Sequence, residues 1–273
     1  MNFHEFAKGY GLIISSVIPY RWVATPTEDH PRKRNGRYKF LGDVGWVQNW
    51  ATMDSPVIWK AEAGLQTFKM PAFTESRNKA ALERVMAAKK AATKAGWIMH
   101  QSDLATHPYL IKKGFEEESG NVWLDDGKQI LVVPMRKNGS LVGCQLIDEQ
   151  GAKKFLYGQV SKGASFVIDA KGVCIFCEGY ATGLSIRAAM KAMKVRYTIY
   201  VCFSAANLKE VASGKTGIIV ADCDASGVGE AAAKETGKPY WISDTVGEDF
   251  NDYHLRAGLF HSSQSLKRVI FTN

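Results

Sequence analysis

The second half of this chain alternates short apolar runs with helical segments, and this alternation limits the possible folds more than any other feature. We predict strands at residues 173–177, 198–203, 217–221 and 239–242, and helices at residues 183–194, 207–212 and 228–235. Continuously apolar strands separated by helices are typical of a parallel sheet buried between two helical layers. The sequence therefore predicts an α/β domain over residues 169–273, with a Rossmann-like four-stranded parallel sheet flanked by helices.

Acidic residues follow the predicted strands at the point where each strand ends. Glu178 comes directly after the first strand, Asp222 and Asp224 follow the third, and Asp249 and Asp252 lie in a later loop. Sites in open parallel sheets form outside the carboxyl ends of the strands, where residues two apart share a face. Carboxylates this close repel one another unless a cation neutralises them, and oxygen ligands suit Mg²⁺ or Mn²⁺. The plain structural alternative is a set of acids spread along a solvated rim.

The cysteines favour a structural role. Cys174 and Cys177 form a C-x-x-C pair, but residues three apart on a strand point to opposite faces and cannot grip one zinc ion. An odd number of cysteines within predicted strands is typical of buried, reduced thiols in a cytosolic protein. They are Cys144, Cys174, Cys177, Cys202 and Cys223. We expect no zinc.

Two phosphate-binding patterns are incomplete. Gly227 and Gly229 after a strand resemble a dinucleotide-binding fingerprint, but two aspartates at the strand end would face the pyrophosphate. The run SGKT at residues 213–216 resembles the end of a P-loop, yet Lys209 stands where that motif requires glycine. The same glycines allow a tight turn into a helix whose N-terminus can face phosphate.

Charge points to a polyanionic partner. The 273 residues carry a formal net charge of +8, with a pI near 9.1, and basic surfaces attract phosphate chains. No segment approaches the roughly 20 apolar residues that span a bilayer, and the start does not read as a signal peptide. We expect a cytoplasmic protein with no membrane partner.

Residues 1–72 are predicted to form a small β-rich module with a basic, aromatic loop. The β-prone runs are residues 11–18, 20–25, 36–42, 44–52 and 55–62. Basic side chains close in sequence to tryptophans suit single-stranded DNA, because the cations meet phosphates and the rings stack on bases. The candidate DNA contacts are Arg32, Lys33, Arg34, Arg37, Lys39, Trp46 and Trp50. The alternative is a solvated hairpin tip above a small core that contains the tryptophans.

Residues 73–168 are predicted to form an α+β subdomain. A helix is expected over residues 75–97, with Thr74 as its N-cap and Gly96 at its end, and a shorter helical piece over residues 101–115, interrupted at Pro108. From Ile130 an antiparallel meander turns at residues 137–140 and 149–151. The residues expected on the apolar face of the long helix are Ala81, Leu82, Val85, Met86, Ala88 and Ala92.

Three acidic segments resemble the motifs of the Toprim domain, in the version found in bacterial-type DNA primases and their phage and plasmid relatives. They are EGY at residues 178–180, DCDASG at residues 222–227 and GEDFND at residues 247–252. The run HPYLIKKG at residues 107–114 and the meander after it are similar to the subdomain that precedes Toprim in primases. The resemblance covers residues 75–255.

The resemblance implies roles for individual residues. Glu178 would be the general base and would also bind metal, and Asp222 and Asp224 would be metal ligands that share the catalytic role. Asp249 and Asp252 would be supporting acids that complete the Mg²⁺ or Mn²⁺ site. Lys154 matches a family lysine near the nucleotide path. The candidate nucleotide or phosphate contacts are Lys154, Lys162, Gly179 and Gly227.

The family also implies an activity, with two alternatives. A primase of this kind synthesises short RNA primers on a single-stranded DNA template from ribonucleoside triphosphates, here with a separate replicative helicase. The first 140 residues contain no cysteine, so the sequence departs from the zinc ribbon usual in such primases. We expect either that the module at residues 1–72 replaces the ribbon or that the chain is a stand-alone primase of phage type, which would work in the cytoplasm of a bacterial host. The same acids would serve a Toprim-type DNA nuclease, and a catalytically idle scaffold that binds DNA or a helicase is the third hypothesis.

Overall fold

The computed structural model describes residues 1–61 and 71–271, and within the helix that begins at residue 71 it describes side chains from residue 81 onward. The chain divides into two compact units, Met1–Arg84 and Val85–Asn273. The domain boundaries expected after residues 72 and 168 stay predictions. Within the described ranges, no helix is long and apolar enough to cross a membrane.

Up to residue 61, the first unit forms a four-stranded antiparallel sheet with one short helix. Its elements before residue 62 are α1 (Phe3–Gly9), β1 (Trp22–Thr25), β2 (Gly36–Phe40), β3 (Val44–Asn49) and β4 (Val57–Lys60), with the strands in the order β1-β2-β3-β4. The core lies between α1 and one face of the sheet. Phe3 of α1 stacks on Phe40 with ring centroids 4.7 Å apart and packs with buried Tyr38, Val47 and Trp59.

Two expectations for this unit were wrong. The helix α1 was not predicted, although Asn2 and Glu5 form a capping box that marks a helix start in sequence. Residues 11–18 were predicted as a strand, but their sheet pairing is limited to an isolated bridge from Leu12 to Thr27. The segment is apolar without a strand's alternation, and Gly11 at its start has a φ of 75°, which interrupts extended backbone.

The long helix α2 (Pro71–His100) packs on a different face from the one expected. Its buried residues are Ala91, Ala95 and Ile98, which contact the next sheet. The predicted apolar residues Leu82, Val85 and Met86 are exposed. The helix also starts before Thr74 and continues through Gly96, because one helical glycine costs only about 1 kcal/mol and tertiary packing outweighs it.

A second antiparallel sheet follows α2. Its elements are β5 (Ser102–Ala105), α3 (Pro108–Lys112), β6 (Gly120–Asp125), β7 (Lys128–Lys137), β8 (Ser140–Ile147) and β9 (Lys153–Phe155), with strand order β5-β6-β7-β8-β9. The predicted meander is confirmed, and Asn138 and Gly139 form its first turn with positive φ angles. Two strands were missed: β5 and β6. The Asp126-Gly127 turn between β6 and β7 is the sequence signal for the second of them.

Pro108 begins a helix and does not interrupt one. It occupies the first turn of α3, where its missing N–H costs nothing. His107 caps this helix, since its ring nitrogen accepts a hydrogen bond from the backbone N–H of Tyr109 at 3.1 Å. The helical interpretation of residues 101–105 was wrong, because Ser102–Ala105 pairs with β6 as an edge strand.

The third sheet carries the alternating half of the sequence and confirms the α/β class. Its elements are β10 (Phe166–Asp169), β11 (Val173–Cys177), α4 (Tyr180–Ala192), β12 (Tyr197–Val201), α5 (Ala205–Ala212), β13 (Ile218–Val220), α6 (Val228–Glu235), β14 (Tyr240–Trp241) and α7 (Phe250–Phe271). The order is β10-β12-β11-β13-β14, in which β11 to β14 run parallel and β10 is an antiparallel edge strand. The sheet thus has five strands and not four.

Helices cover both faces of this sheet. Residues of α4 and α7 pack on Ile175 and Cys177, while residues of α5 and α6 pack with Cys174 and Phe176. Cys174 and Cys177 therefore lie on opposite faces, as predicted from strand alternation. Burial raises the pKa of the Cys177 thiol well above its ordinary value. That thiol stays protonated and donates to the carbonyl of Gly179.

Candidate metal and phosphate site

Glu178 and Asp222 lie at the same edge of the parallel sheet. Cys177, the last residue of β11, pairs with Val220, the last residue of β13. Because neighbouring parallel strands end together, the chain delivers Glu178 and Asp222 side by side from two buried strands. The pair forms the centre of the candidate site.

Asp222 is held in an environment that disfavours its charge. Burial raises its pKa to about 7, and the negative charges of Glu178 and Asp249 add to this, while Lys153 acts in the opposite direction. Its Oδ1 atom is buried and, within the described ranges, has no hydrogen-bond partner. A buried carboxylate oxygen without a partner is costly unless a cation or donor completes the site.

Glu178 has the properties of a proton acceptor. Burial raises the pKa of its carboxyl, and the charge of Asp224 raises it further. The backbone N–H of Ala205, the first residue of α5, donates to this carboxylate and partly offsets both effects. A raised pKa moves a carboxyl toward the operating pH, where general-base catalysis is efficient.

Asp224 differs from both, because it is exposed and fixed locally. Ser226 donates to its Oδ1 from the hydroxyl and from the backbone N–H, the latter at 2.8 Å, and the hydroxyl bond is the main cause of its lowered pKa. Gly227 follows with a φ of 66° as the N-cap of α6. Gly229 lets α6 approach the strand end, since a Cβ there would lie 2.4 Å from the carbonyl oxygen of Asp222.

The third acidic segment forms a helix start, which the sequence interpretation placed in a loop. Asp249 caps α7, because its Oδ1 accepts from the backbone N–H groups of Asn251 at 2.7 Å and Asp252 at 2.9 Å. Its charge contributes to the raised pKa of Asp222. Asp252 lies in the first turn of α7 and pairs with Lys113 at 3.1 Å. Of the two acids, Asp249 is the one that acts on Asp222.

A cavity of about 240 Å³ adjoins these acids and has a cationic lining. Lys112, Lys113 and Lys153 contribute to its wall, together with Gly179 at the N-terminus of α4 and Asp249. Thr182 also lines it, and the buried Oγ1 atom of this residue has no partner among the described side chains and backbone. The N–H groups of a helix start, lysines and an unpartnered hydroxyl together favour a phosphate ligand.

Two of the four predicted phosphate contacts lie at the candidate site, and the other two do not line its cavity. Gly179 lines the cavity, and Gly227 caps α6 beside Asp224. Lys154 is exposed on β9 and Lys162 pairs with Glu210 at 3.4 Å, and neither is among the residues that line the cavity. Side chains alternate between the two faces of β9, so Lys153 lies on the cavity side and Lys154 on the opposite side. Strand alternation predicts this difference from the sequence.

Three further residues that line the cavity were not predicted from the sequence: Lys112, Lys113 and Thr182. The two lysines stand at the end of α3, far from the acids in sequence, and only the packing of α3 near α7 brings Lys113 to Asp252. Thr182 lies in the first turn of α4, two residues after the segment EGY. Thr182 is buried because α4 packs closely on the sheet. Gly183 marks this close approach, since a Cβ at that position would lie 2.7 Å from Cγ2 of Val201.

The donor set suits a hard divalent cation. Within residues 1–61 and 71–271, no group of three or more histidine, cysteine or acidic side chains converges closely enough to hold a metal alone. Mg²⁺ is commonly held by one or two carboxylates together with water and substrate phosphates, so such a group is not required. The buried Oδ1 atom of Asp222, with Glu178 and Asp249 nearby, offers the oxygen ligands that Mg²⁺ or Mn²⁺ prefers.

The candidate DNA contacts all belong to the first unit. Arg32, Lys33 and Arg34 lie in the exposed loop before β2. Arg37 and Lys39 lie on β2, where the Arg37 guanidinium is 5.5 Å from the ring centroid of Trp50 and the Lys39 ammonium is 5.9 Å from that of Trp46. The structure thus brings the strand cations onto the aromatic rings.

Comparison with known proteins shows a weak likeness to a phage replication complex. No family model matches the chain, and no curated protein matches it. Among solved structures, a chain of the bacteriophage T7 lagging-strand DNA polymerase complex with primase domains of two gp4 subunits, bound to an RNA/DNA hybrid and dTTP, is similar. The identity is 18%, the TM-score is 0.40, and the match covers 62% of this chain and 87% of that one.

Proposed function

We propose that this protein is a Toprim-type DNA primase, which joins ribonucleotides into short primers on single-stranded DNA. The observation that carries the proposal is the position of Asp222. Its carboxylate oxygen, which is buried and has no partner among the residues the structure describes, lies beside Glu178 at the edge of a parallel sheet, next to a cavity lined by three lysines. The Toprim-like segments EGY, DCDASG and GEDFND supply these acids, and this supports the assignment to nucleotidyl transfer.

The cavity supports a triphosphate substrate. Lys112, Lys113 and Lys153 supply positive charge, and the first backbone N–H groups of α4 together with the hydroxyl of Thr182 supply donors for phosphate oxygens. A charged substrate held in this way is positioned for reaction without further ordering at the moment of transfer. We assign the β- and γ-phosphates of a ribonucleoside triphosphate to this cavity.

Asp222, Asp224 and Asp249 are the proposed ligands for Mg²⁺ or Mn²⁺, with Glu178 close by. Such an ion, when bound, stabilises negative charge on the phosphates and lowers the pKa of the attacking hydroxyl. The repulsion among the acids supports this role, since Glu178 and Asp249 both raise the pKa of Asp222. No zinc is part of the proposal.

In the proposed reaction, Glu178 accepts the proton of the attacking hydroxyl. The 3′ oxygen of the growing primer forms a bond to the α-phosphorus of the incoming nucleotide, and the bond from that phosphorus to the bridging oxygen of pyrophosphate breaks. The hydroxyl proton passes to Glu178, whose raised pKa suits this role, and pyrophosphate leaves with the electron pair. The lysines stabilise charge on the departing pyrophosphate.

The proposed partners are a single-stranded DNA template, ribonucleoside triphosphates and a separate replicative helicase. The net charge of +8 supports a polyanionic template. Arg32, Lys33 and Arg34 are proposed to contact its phosphates.

Incubation with single-stranded DNA, labelled ribonucleotides and Mg²⁺ or Mn²⁺ tests the proposal. The wild-type protein should make short labelled products, and Asp222→Asn should lose this activity by about a hundredfold or more. Asp103→Asn is the matched control, because Asp103 is an exposed aspartate of the same unit on β5, an edge strand of the second sheet. Shortened template would indicate the nuclease chemistry instead. Products that persist undiminished in Asp222→Asn would refute the assigned site.

A further inference from the structure

One face of the N-terminal sheet carries exposed rings and cations together. Strand register places Trp22 beside Lys39, Lys39 beside Trp46 and Trp46 beside Ile58. Side chains alternate between faces, so the opposite face holds Val23, Tyr38, Val47 and Trp59, which form the core with α1. We call the face that bears Trp22 and Lys39 the open face. Its side chains are Trp22, Ala24, Arg37, Lys39, Val44, Trp46, Gln48, Ile58 and Lys60, and Trp50 extends it beyond β3.

Planar groups on the open face are held in place. The guanidinium carbon of Arg37 lies 4.7 Å from the ring centroid of Trp22 and 5.5 Å from that of Trp50. Gln48 accepts from Nε of Arg37 at 3.0 Å and from Nη2 at 2.8 Å, which fixes the plane of the guanidinium. The indoles therefore have a set position, and a ligand that stacks on them has less conformational entropy to remove.

The open face exposes apolar surface that a small domain usually buries. Trp22 is 44% exposed, Trp50 is 50% exposed and Ile58 is 55% exposed. Scattered apolar residues on a surface need no explanation, but aromatic rings grouped with cations mark interaction sites. The charged residues of this face, Arg37, Lys39 and Lys60, are all basic, and no acid shares it among the described residues.

We propose that the open face binds single-stranded nucleic acid by stacking unpaired bases on Trp22 and Trp50, with phosphates on Arg37, Lys39 and Lys60. Exposed rings suit bases, and cations spaced along neighbouring strands suit the charges of a sugar–phosphate chain. A purely apolar protein partner would leave these cations buried and unpaired, and duplex DNA hides its base faces. The proposal deepens the proposed function, on which it rests for the choice of nucleic acid, by assigning the template contacts.

Binding of fluorescent oligo(dT) to the full-length protein tests this surface without any need for catalysis. Trp22→Ala and Trp50→Ala should each weaken binding roughly tenfold, which is the effect of losing one stacked base. Trp22→Phe should retain most of the affinity, because a phenyl ring still stacks. Phe260→Ala removes an exposed ring from the other unit and should leave binding unchanged. Circular dichroism identifies any variant that fails to fold. If an alanine variant does not fold, the affinity of Trp22→Phe for oligo(dT) tests whether a stacking ring is needed at that position.

Two further ligands separate stacking from charge. An abasic oligonucleotide of equal length can stack on neither ring, so it should bind the wild type about as weakly as oligo(dT) binds the double variant Trp22→Ala/Trp50→Ala. The double variant Lys39→Gln/Lys60→Gln should reduce the slope of log Kd against log salt by about 1.4, since each neutralised phosphate on a single strand contributes about 0.7. Equal affinity for abasic and normal strands would overturn the stacking proposal, as would tighter binding to polyglutamate or to anionic vesicles.

Failure of this proposal is distinguishable from failure of the catalytic one. Asp222→Asn should bind oligo(dT) as the wild type does, while losing primer synthesis. If tryptophan variants bind normally and Asp222→Asn is inactive, the open face is not the template site although the enzyme assignment stands. If strands bind through the tryptophans and no nucleotides are joined, the surface is correct and the catalytic proposal is wrong.

Discussion

Lys113 donates from Nζ to Oδ1 of Asp252 at 3.1 Å, although 139 positions separate them in sequence. The contact joins the end of α3 to the first turn of α7 and engages Asp252, the last acid of the segment GEDFND. Asp249, three residues earlier, instead raises the pKa of Asp222. One acid therefore belongs to an ion pair at the edge of the cavity, and the other belongs to the carboxylate group.

This division predicts unequal effects of removing the two charges. Asp249→Asn should lower primer synthesis by about a hundredfold, because a proposed metal ligand loses its charge while asparagine still caps α7. Asp252→Asn should lower it about fivefold or less, since a half-exposed ion pair contributes on the order of 1 kcal/mol. Initial rates at several Mg²⁺ concentrations measure both. Equal losses would contradict the separation of the two acids.

Asp222 should make the metal-free protein less stable as pH rises. Its pKa is near 7 when folded and near 3.8 when unfolded, so between these values the folded state binds more protons and stability falls with increasing pH. In EDTA, Asp222→Asn should therefore stabilise the protein at pH 7.5 by up to about 4 kcal/mol, and should have little effect near pH 3.5. Thermal unfolding across this range measures the difference.

A matched variant checks the sign of that effect. Hydrogen bonds from Ser226 lower the pKa of Asp224, so its charge is favoured in the folded state. Asp224→Asn should not stabilise the metal-free protein at neutral pH. Added Mg²⁺ should raise the melting temperature of the wild type and have much less effect on Asp222→Asn. Stabilisation by Asp224→Asn would show that crowding of negative charge, and not burial of Asp222, controls the pH dependence.

Lys153 and Lys154 should differ although they are neighbours. Both lysines are exposed on β9, but Lys153 lines the cavity and opposes the raised pKa of Asp222, whereas Lys154 does not line the cavity. Lys153→Met should raise the KM for ribonucleotides about tenfold or more. It should also move the acidic limb of the pH–rate profile to higher pH, because the pKa of Asp222 rises when Lys153 is removed. Lys154→Met should change either quantity about twofold or less. A larger effect at Lys154 would favour the family-based assignment over the cavity.

Gly229 and Gly96 should respond in opposite directions to the same substitution. A Cβ at Gly229 would lie 2.4 Å from the carbonyl oxygen of Asp222, so Gly229→Ala should destabilise the protein by about 1–3 kcal/mol and lower activity. Gly96 lies inside α2, where an added methyl group would have no neighbour within 4 Å among the described residues, and Gly96→Ala should stabilise by about 0.5–1 kcal/mol. Chemical denaturation gives both values.

Elements with strong local signals could be predicted from the sequence. The Asn138-Gly139 turn and the alternating half beyond Val173 form as expected, because turn chemistry and apolar periodicity act over a few residues. The helix predicted over residues 75–97 is confirmed as α2, but its predicted buried face was wrong, since Ala91, Ala95 and Ile98 face the sheet while more apolar residues stay exposed. Close packing between α2 and the second sheet favours small residues on the buried face, and hydrophobicity alone does not predict this preference.

For the candidate site, the sequence determined the acids and their strand ends, and the tertiary structure determined which of them interact. Glu178 and Asp222 meet because each follows a buried strand, and the order of residues contains that information. The choice of Asp249 over Asp252, and of Lys153, Lys112 and Lys113 over Lys154 and Lys162, depends on how α3, β9 and α7 pack. Contacts between distant segments depend on burial and shape across the whole fold, and local pattern does not encode them.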